Sequence, residues 1–227
     1  MIVGGLVTAG GLGSRMRSAM PKQFLELQGI PVLTRTLRVF VNHPLVKKIV
    51  VTAPHEYTSF CEGHILSGIQ TEKEIKIVVG GPTRQHSVYN GLLKLGDTDL
   101  VVIHDAVRPF VAPETVAATI ETAQMLGAAI AAVPVRETVK RQLGDRLATV
   151  SREGLWLAHT PQSFQTHLIL KAHREASAIG FYATDDAALV ERLGFPVGIV
   201  EDSCDNIKIT TPEDLALASL ILTKSST

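Results

Sequence analysis

The sequence has no excess charge of either sign. Its 227 residues include 22 Lys+Arg and 22 Asp+Glu, which gives a formal net charge of zero. A protein that binds nucleic acid normally carries a basic excess, because it must neutralise backbone phosphates. The balance therefore predicts no nucleic-acid partner, and a phosphate ligand must be held by charges clustered at one place.

Cysteines and long apolar runs are also scarce. The chain has two cysteines, Cys61 and Cys204, which lie far apart and match no metal-ligand or redox spacing. This leaves a disulfide open but favours two buried thiols. The N-terminal segment MIVGGLVTAG has no basic region before its apolar residues, and no apolar run is long enough to span a membrane. We therefore expect a cytoplasmic protein with no membrane partner.

Apolar strand patterns and helical patterns alternate along the chain. Hydrophobic residues make up 45% of the sequence, which is enough for the core of one domain over residues 1–227. The alternation is typical of an α/β fold with a mostly parallel sheet and helices on both faces. The predicted strands are residues 2–7, 48–52, 75–79, 100–104, 128–135 and 197–200. The predicted helices are residues 32–41, 56–66, 87–95, 114–126, 168–179, 185–193 and 213–222.

Residues 136–161 interrupt this alternation. Leu143-Gly144-Asp145 has the composition of a hairpin turn, and Thr- and Val-containing segments flank it. A charged hairpin has little core to fold on alone. We therefore expect an arm that packs on a second subunit, and a solvated surface hairpin is the alternative.

A glycine-rich segment, TAGGLGSRM, follows the first predicted strand. Glycines at 10, 11 and 13 allow sharp turns, and the exposed N–H groups of such a loop can hold phosphate oxygens. The dinucleotide fingerprint requires a third glycine where this chain has Met16, and no Gly-Lys pair of a Walker loop occurs. A phosphate loop of another kind and a tight structural turn both remain open.

Two cations flank this loop. Arg15 can grip phosphate oxygens in a planar fork, and Lys22 supplies a compact charge next to the rigid Pro21. These are the charges that a triphosphate requires. The alternative is two solvated surface side chains, which is the usual situation of Lys and Arg.

Three further segments carry candidate residues. In GGPTRQHSVYNG, Ser87 is expected to cap a helix, with a contact to a nucleotide base as the alternative. In HDAVRP, Asp105 ends a buried strand, where it can hold Mg²⁺ together with substrate phosphates; Arg108 can bind a phosphate or pair with Asp105. In DNIKIT, Thr211 and Pro212 begin the last helix, which places residues 206–210 at a strand end. There the charged Lys208 lies between two apolar residues, where burying its ammonium group destabilises the fold unless the group meets an anion.

Taken together, these segments resemble the 2-C-methyl-D-erythritol 4-phosphate cytidylyltransferase family. The matching segments in order are AGGLGSRM, PKQFL, GGPTRQHSVYNGL, HDAVRP, VPVRETVKR, TPQSF, TDDAALVE and DNIKITTPEDL, and they span residues 9–215. The resemblance implies a Rossmann-like nucleotidyltransferase sheet with a protruding β-hairpin arm at about 136–161, assembled as a homodimer. It also implies transfer of CMP from CTP to 2-C-methyl-D-erythritol 4-phosphate with Mg²⁺ as the cofactor.

The resemblance also suggests roles for individual residues. The catalytic set is Arg15, Lys22 and Lys208, with Asp105 on the Mg²⁺ side. The CTP contacts are Ala9, Gly10, Gly11, Gly13, Gly81 and Ser87. The residues that handle the acceptor are Asp105, Arg108, Thr138, Arg152, Thr160 and Thr184, of which Thr138 and Arg152 flank the arm and are expected in the partner subunit's site. Some relatives carry an acidic residue where this chain has Pro82, so a side-chain contact to the nucleotide sugar is not expected here.

No general base is conspicuous in the sequence, and the expected reaction does not require one. A phosphate monoester is largely dianionic near neutrality because its second pKa is about 6, so its oxygen is already a nucleophile. Catalysis then consists of positioning and charge neutralisation. Two alternatives remain at this point: a ribitol-5-phosphate cytidylyltransferase, and a non-catalytic CTP-binding regulator.

Overall fold

The structure, a computed structural model, describes residues 1–11, 16 and 20–224. Its strands are β1 (Val3–Thr8), β2 (Glu26–Leu27), β3 (Ile30–Pro31), β4 (Val46–Ala53), β5 (Glu74–Val79), β6 (Leu100–Asp105), β7 (Ala128–Pro134), β8 (Val139–Leu143), β9 (Arg146–Val150), β10 (Trp156–Gln165) and β11 (Gly198–Glu201). Its α-helices are α1 (Val32–Asn42), α2 (Thr58–Phe60), α3 (Arg84–Leu95), α4 (Pro113–Leu126), α5 (Thr166–Ala178), α6 (Ala187–Arg192) and α7 (Pro212–Lys224).

Seven strands form the central sheet in the order β11-β7-β10-β6-β1-β4-β5. Strand β10 is antiparallel to both of its neighbours, β6 and β7, whereas the other neighbouring pairs are parallel. The chain runs from β1 outward to β4 and β5 and then returns to place β6 on the other side of β1. This reversal puts a topological switch point beside β1, where sheets of this kind bind ligands.

Both faces of the sheet are covered, as the sequence predicted. Successive side chains of a strand point to opposite faces, so Val102 packs in one core cluster with Phe40 of α1 and Val116 of α4. Its neighbour Val101 packs in a second cluster with helices α3 and α5. The predicted α/β fold with a mostly parallel sheet is thus confirmed.

Strand β10 was missed by the sequence analysis. Its sequence, WLAHTPQSFQ, contains a proline and little apolar alternation, and a proline argues against a central strand because it lacks an N–H. The pairing of β10 with β7 is interrupted between Ala158 and Gln162, so Pro161 lies where no ladder hydrogen bond is made. The outer part of the same strand pairs with β7 alone, and its inner part also pairs with β6.

Three further predictions about secondary structure were also wrong. The helix expected over residues 56–66 is a chain of short turns, with a π-helix at Cys61–Ile65 between 3₁₀ turns at His55–Tyr57 and Leu66–Gly68. Helix α3 begins at Arg84 rather than at 87, because Thr83 caps it. Residues 206–210 form no strand; they are extended coil, tied to the sheet by Ile209 N–H, which donates to Val107 O over 2.9 Å.

Strands β8 and β9 form a two-stranded hairpin of their own, paired in register from Val139↔Val150 to Leu143↔Arg146. Gly144 lies at the turn with a φ of 61°, a conformation that favours glycine. The hairpin is joined to the sheet through the outer part of β10. It therefore has the form of the predicted arm.

The expected start of the last helix is confirmed. Helix α7 begins at Pro212, and Asp214 Oδ2 accepts hydrogen bonds from the N–H groups of Thr210 and Thr211 over 2.8 and 2.9 Å. The two cysteines are free, and Cys204 is exposed rather than buried. Among the described residues, no helix has the length and apolar character needed to cross a membrane.

Candidate active site

A cavity of about 540 Å³ opens at the carboxyl edge of the sheet. The ends of β1, β4, β5 and β6 reach it together because Thr8 pairs with both Thr52 and Asp105, and Ala53 pairs with Val79. Its lining comprises Thr8, Ala9, Gly10, Gly11, Lys22, Gln23, Pro54, His55, Glu56, Val79, Gly80, Gly81, Pro82, Thr83, Arg84, Ser87, Asp105, Ala106, Val107 and Lys208. Eight of the residues predicted from the sequence are among them.

The loop after β1 forms one wall of the cavity. Gln23, which is buried, donates from its side-chain amide to Ala9 O over 2.7 Å and to Gly11 O over 3.0 Å. These bonds hold the backbone of the glycine segment against the short 3₁₀ turn that carries Lys22. Gln23 was not predicted as a site residue. The predicted Gly13 and Arg15 lie outside the described residues.

The loop after β5 forms the facing wall. Ser87 Oγ accepts from Gly81 N–H over 3.0 Å and donates to Thr83 O over 3.0 Å. The hydroxyl therefore fixes the turn into α3, while the cap itself is Thr83, whose Oγ1 accepts from His86 N–H over 3.3 Å. A Cβ on Gly10 would lie 2.9 Å from Ser87 Oγ, so the two loops approach each other closely only because residue 10 is glycine.

Asp105 lies at the centre of a group of cations. Its Oδ2 lies 2.7 Å from Lys208 Nζ and 3.8 Å from Arg108 Nε, and its Oδ1 lies 3.3 Å from Arg84 Nε. Burial alone would raise the pKa of Asp105, but the charges of Arg84 and Lys208 outweigh burial and hold that pKa well below its ordinary range. The carboxylate is therefore ionised, and the Asp105–Arg108 pair anticipated from the sequence is present as its longest contact.

Arg84 was not predicted as a site residue. Its Nη1 lies 2.7 Å from Asp186 Oδ2, while its Nε contacts Asp105. Burial would lower the pKa of Arg84, but the charges of Asp186 and Asp105 outweigh burial and raise it. Nothing local to the segment GGPTRQHS indicates that two carboxylates, one from β6 and one from the start of α6, would meet at Arg84.

Arg108 and Thr160 lie next to Asp105, although neither lines the cavity. Arg108 Nη1 donates to Asn206 O over 2.6 Å. Thr160 Oγ1 accepts from the N–H of Asp105 over 3.0 Å. The end of β6, the middle of β10 and the segment that carries Lys208 therefore meet at one place.

The remaining predicted residues lie apart from this cavity. Thr138 and Arg152 are exposed on the two sides of the hairpin, where an Arg152 Nη1 donates to Arg136 O. Thr184 is exposed before α6. Among the described residues of this one chain, these three contribute nothing to the cavity wall.

The arrangement suits a polyanionic ligand. Lys22, Arg84 and Lys208 line a cavity in which Asp105 is one of two carboxylates, the other belonging to Glu56 at the rim. Loop backbone forms two sides of the cavity, and these three cationic side chains supply positive charge. Such a site can bind phosphates and stabilise negative charge that develops during phosphoryl transfer.

Comparison with known proteins gives one consistent result. The sequence model of the 2-C-methyl-D-erythritol 4-phosphate cytidylyltransferase family matches residues 3–224. Proteins of that name from Desulforamulus reducens and Syntrophus aciditrophicus are 48% and 46% identical to this chain. The alignments cover 96% of the chain in both cases and 94% and 95% of the relatives. The crystal structure of 4-diphosphocytidyl-2C-methyl-D-erythritol synthase from Anaerococcus prevotii superposes with a TM-score of 0.87 at 30% identity. That superposition covers 98% of this chain and 96% of the other.

These matches extend along almost the whole chain, and the relatives are matched over almost their whole length. The residues of the resembling segments that the fold gathers at the switch point are Ala9, Gly10, Gly11, Lys22, Gly81, Ser87, Asp105 and Lys208. The chain therefore belongs to the 2-C-methyl-D-erythritol 4-phosphate cytidylyltransferase family.

Proposed function

We propose that this protein transfers CMP from CTP to 2-C-methyl-D-erythritol 4-phosphate and releases pyrophosphate and 4-diphosphocytidyl-2-C-methyl-D-erythritol. The observation that carries the proposal is the cavity at the carboxyl edge, where Lys22, Arg84 and Lys208 face loop backbone around an ionised Asp105. The names of the relatives support the same nucleotide and acceptor. The product is a precursor on the non-mevalonate isoprenoid route.

The reaction is a substitution at the α-phosphorus of CTP. An oxygen of the acceptor phosphate forms a bond to that phosphorus, and the bond between the α-phosphorus and the bridging oxygen to the β-phosphate breaks. Because the attacking phosphate is largely dianionic near neutrality, no proton has to be removed. The barrier arises mainly from bringing two anions together, so cations and orientation decide the rate.

The roles follow from position. Lys22, on the wall next to the glycine loop, stabilises charge on the α-phosphate and on the leaving pyrophosphate, and Lys208, on the other side of Asp105, holds the acceptor phosphate. Two further roles are assigned by resemblance: Arg15, outside the described residues, acts with Lys22, and Arg108, buried beside Asp105, acts with Lys208. Backbone groups of Ala9, Gly10, Gly11 and Gly81 receive the nucleotide, with Gly13 assigned by resemblance. Ser87 supports this wall through its bonds to the loop.

The donor set at Asp105 fits Mg²⁺. This ion prefers one or two carboxylates and completes its shell with phosphate oxygens and water. Within the described part of the chain, the contacts of Asp105 Oδ1 are long, 3.3 Å to Thr8 Oγ1 and 3.3 Å to Arg84 Nε, so this oxygen retains capacity for a ligand bond. When bound there, Mg²⁺ would neutralise charge on the triphosphate.

The single domain of residues 1–227, the dimerisation arm at about 136–161 and the homodimer belong to the same proposal. The arm exposes apolar side chains, among them Leu147 and Leu157. Because Thr138, Arg152 and Thr184 lie apart from the cavity of their own chain, we assign them to the acceptor, with Thr138 and Arg152 acting in the partner subunit's site. The cytoplasmic location expected from the sequence stays a prediction.

The test is pyrophosphate release from CTP with Mg²⁺, with 2-C-methyl-D-erythritol 4-phosphate and ribitol 5-phosphate compared as acceptors. We expect release with the first and little with the second. Preference for ribitol 5-phosphate would keep the chemistry and overturn the acceptor. CTP binding without release in either mixture would overturn the enzyme and favour a regulator.

A further inference from the structure

A buried polar cluster of His159, Asp202 and Asn206 lies behind the acceptor side of the site, and the proposed chemistry does not use it. The Asp202 side chain is fully buried, and its backbone is anchored to the sheet through its N–H, which donates to Ala132 O over 2.9 Å. His159 comes from β10, and Asn206 from the coil that leads to Lys208. The cluster thus joins two segments that carry proposed site residues, β10 with Thr160 and the coil with Lys208.

Asp202 Oδ2 receives two hydrogen bonds within the cluster. One comes from His159 Nδ1 over 2.8 Å and the other from Asn206 Nδ2 over 2.7 Å. Burial alone would raise the pKa of Asp202, but the bonds from His159 and Asn206 outweigh burial and keep this pKa below its ordinary value. An ionised carboxylate only accepts hydrogen bonds, so Nδ1 of His159 carries a proton.

Asn206 connects the cluster to the site. Its amide nitrogen also donates to Thr160 O over 2.9 Å, and its backbone carbonyl accepts from Arg108 Nη1 over 2.6 Å. Because Thr160 O and the Asp202 carboxylate can only accept, the orientation of the amide is fixed by its partners. One side chain therefore holds Thr160 and the carbonyl that fixes Arg108, and it lies two residues before Lys208.

We propose that His159 and Asp202, acting through Asn206, are positioning residues for the acceptor-phosphate side of the site. The geometry that carries this proposal is the continuous chain of bonds from His159 to Asp202, to Asn206 and on to Arg108 and Thr160. The proposal rests on the function proposed above, and it adds three residues that contact neither CTP nor the acceptor phosphate.

The coil between β11 and α7 depends on these side-chain bonds. Its backbone bonds in the described structure are few: Asn206 N–H donates to Ser203 O, Ile207 N–H to Asp205 O and Ile209 N–H to Val107 O. Loss of the side-chain bonds lets the coil shift relative to β6, and Lys208 and Arg108 shift with it. The loops after β1 and β5, which form the cavity walls proposed to bind CTP, are held separately by Gln23 and Ser87. The geometry of these two loops is therefore maintained when the coil shifts.

The experiment compares His159→Leu with His159→Asn in the full chain. Asparagine places an amide N–H near the position of Nδ1, whereas leucine removes the donor and keeps the bulk. For His159→Leu we expect kcat/KM for the acceptor to fall about tenfold, the cost of a small misplacement of reacting groups, while KM for CTP changes less than twofold. His159→Asn recovers most of the acceptor kcat/KM. Urea unfolding of each variant shows whether the fold is intact.

The outcomes separate the two proposals. If the wild-type protein releases no pyrophosphate with this acceptor, the proposed function fails. If the wild type is active and His159→Leu matches it, or if both variants lose CTP and acceptor kinetics alike, the positioning role is overturned. Should His159→Leu not fold, Asp202→Asn replaces it, because asparagine retains an oxygen for His159 and Asn206 but lacks the charge. Its acceptor kcat/KM is expected to fall by about threefold or more, and a wild-type value would overturn the proposal.

Discussion

The Asp105 carboxylate, which carries one negative charge, forms ion pairs with three cations: Arg84, Arg108 and Lys208. Arg84 has a second partner in Asp186, but Lys208 and Arg108 have Asp105 as their nearest carboxylate in the described structure. The charge of Asp202 behind the site also acts on Arg108, so Arg84, Arg108 and Lys208 are matched in number by Asp105, Asp186 and Asp202. Lys208, whose side chain is 42% exposed, is the member of the group that an incoming anion can contact. Transfer between two phosphates requires such a cation, because the anions repel each other on approach.

Lys22→Ala tests the charge on the opposite wall. Lys22 is half-buried on the cavity wall, so its removal takes a cation from the α-phosphate and the leaving group. We expect kcat to fall by about a hundredfold, the scale of one lost transition-state donor. The free energy of unfolding should change by no more than about 0.5 kcal/mol. Pyrophosphate release and urea denaturation measure the two quantities.

The matched control for Lys22→Ala is Lys76→Ala. Lys76 lies on the outer strand β5 and pairs with Glu74 over 2.8 Å, away from the cavity. Its replacement should leave kcat unchanged. A Lys22→Ala variant with near-normal turnover would remove Lys22 from the catalytic set.

Asp105 should also make the free energy of unfolding depend on pH. Its pKa in the folded protein is depressed by Arg84 and Lys208 against the effect of burial, so its contribution to stability is complete above the unfolded-state pKa of about 4. As pH falls below that value, the unfolded chain takes up a proton that the folded chain does not, and stability is lost. In Asp105→Asn, the free energy of unfolding should depend less steeply on pH between about 5 and 2, by up to about 1.4 kcal/mol per pH unit. Urea titrations at a series of pH values measure this slope, and an unchanged slope would contradict the assignment of the ion pairs.

Sequence reasoning identified cavity residues whose chemistry is local and missed cavity residues whose contacts depend on distant partners. Lys22, Asp105 and Lys208 were recognised from their sequence neighbours. Lys22 follows the glycine-rich segment, Asp105 ends an apolar strand, and Lys208 lies between two isoleucines. Arg84 and Gln23 did not stand out. The partners of Arg84 come from residues 21 and 102 positions away, and the acceptors of Gln23 are backbone carbonyls that any loop possesses.

The two loops that face each other across the cavity are matched in shape. A Cβ on Gly10 would approach Ser87 Oγ to 2.9 Å, whereas a Cβ on Gly11 would meet no atom of the described residues within 4 Å. Gly10→Ala should therefore push the glycine loop away from α3 and lower the free energy of unfolding by about 1–3 kcal/mol. Gly11→Ala is the matched control and should change it by no more than about 0.5 kcal/mol. Equal unfolding midpoints in urea for both variants would show that the close approach is not a constraint.

At the level of elements, the pattern of parallel strands was predictable and the exception was not. The parallel strands β1, β4 and β6 are buried on both faces and give apolar runs. Strand β10 carries His159, Thr160 and Gln162, whose polar groups are satisfied by partners from other segments. These polar side chains connect β10 to the site, but they also remove the apolar pattern by which a buried strand is predicted from sequence. Residues 206–210 have the apolar alternation of a strand but lack a neighbouring strand to pair with.

At the scale of the whole molecule, the residues proposed for the acceptor do not all lie at the cavity of one chain. The hairpin projects residues assigned to the acceptor away from the cavity of their own chain, and it exposes Leu143 and Leu147, at 59% and 70% of their surface. Apolar side chains exposed on a protruding hairpin are typical of a surface that another subunit covers. We therefore predict a two-fold dimer in which the arm of each chain contributes to the site of the other.

Complementation between two inactive variants tests this exchange. Lys22→Ala damages the cavity of its own chain, whereas Arg152→Ala is expected to damage the cavity of the partner. In a heterodimer, one cavity then receives both lesions and the other receives neither. Co-expression of the two variants with different affinity tags and tandem purification should yield heterodimers with about half of the wild-type activity. Each homodimer should be nearly inactive.

Lys22→Ala carried on both tagged chains is the control and should stay inactive. If Arg152 acted within its own chain, both cavities of the heterodimer would be damaged and no activity would return. Failure of the two tags to co-purify would contradict the dimer itself.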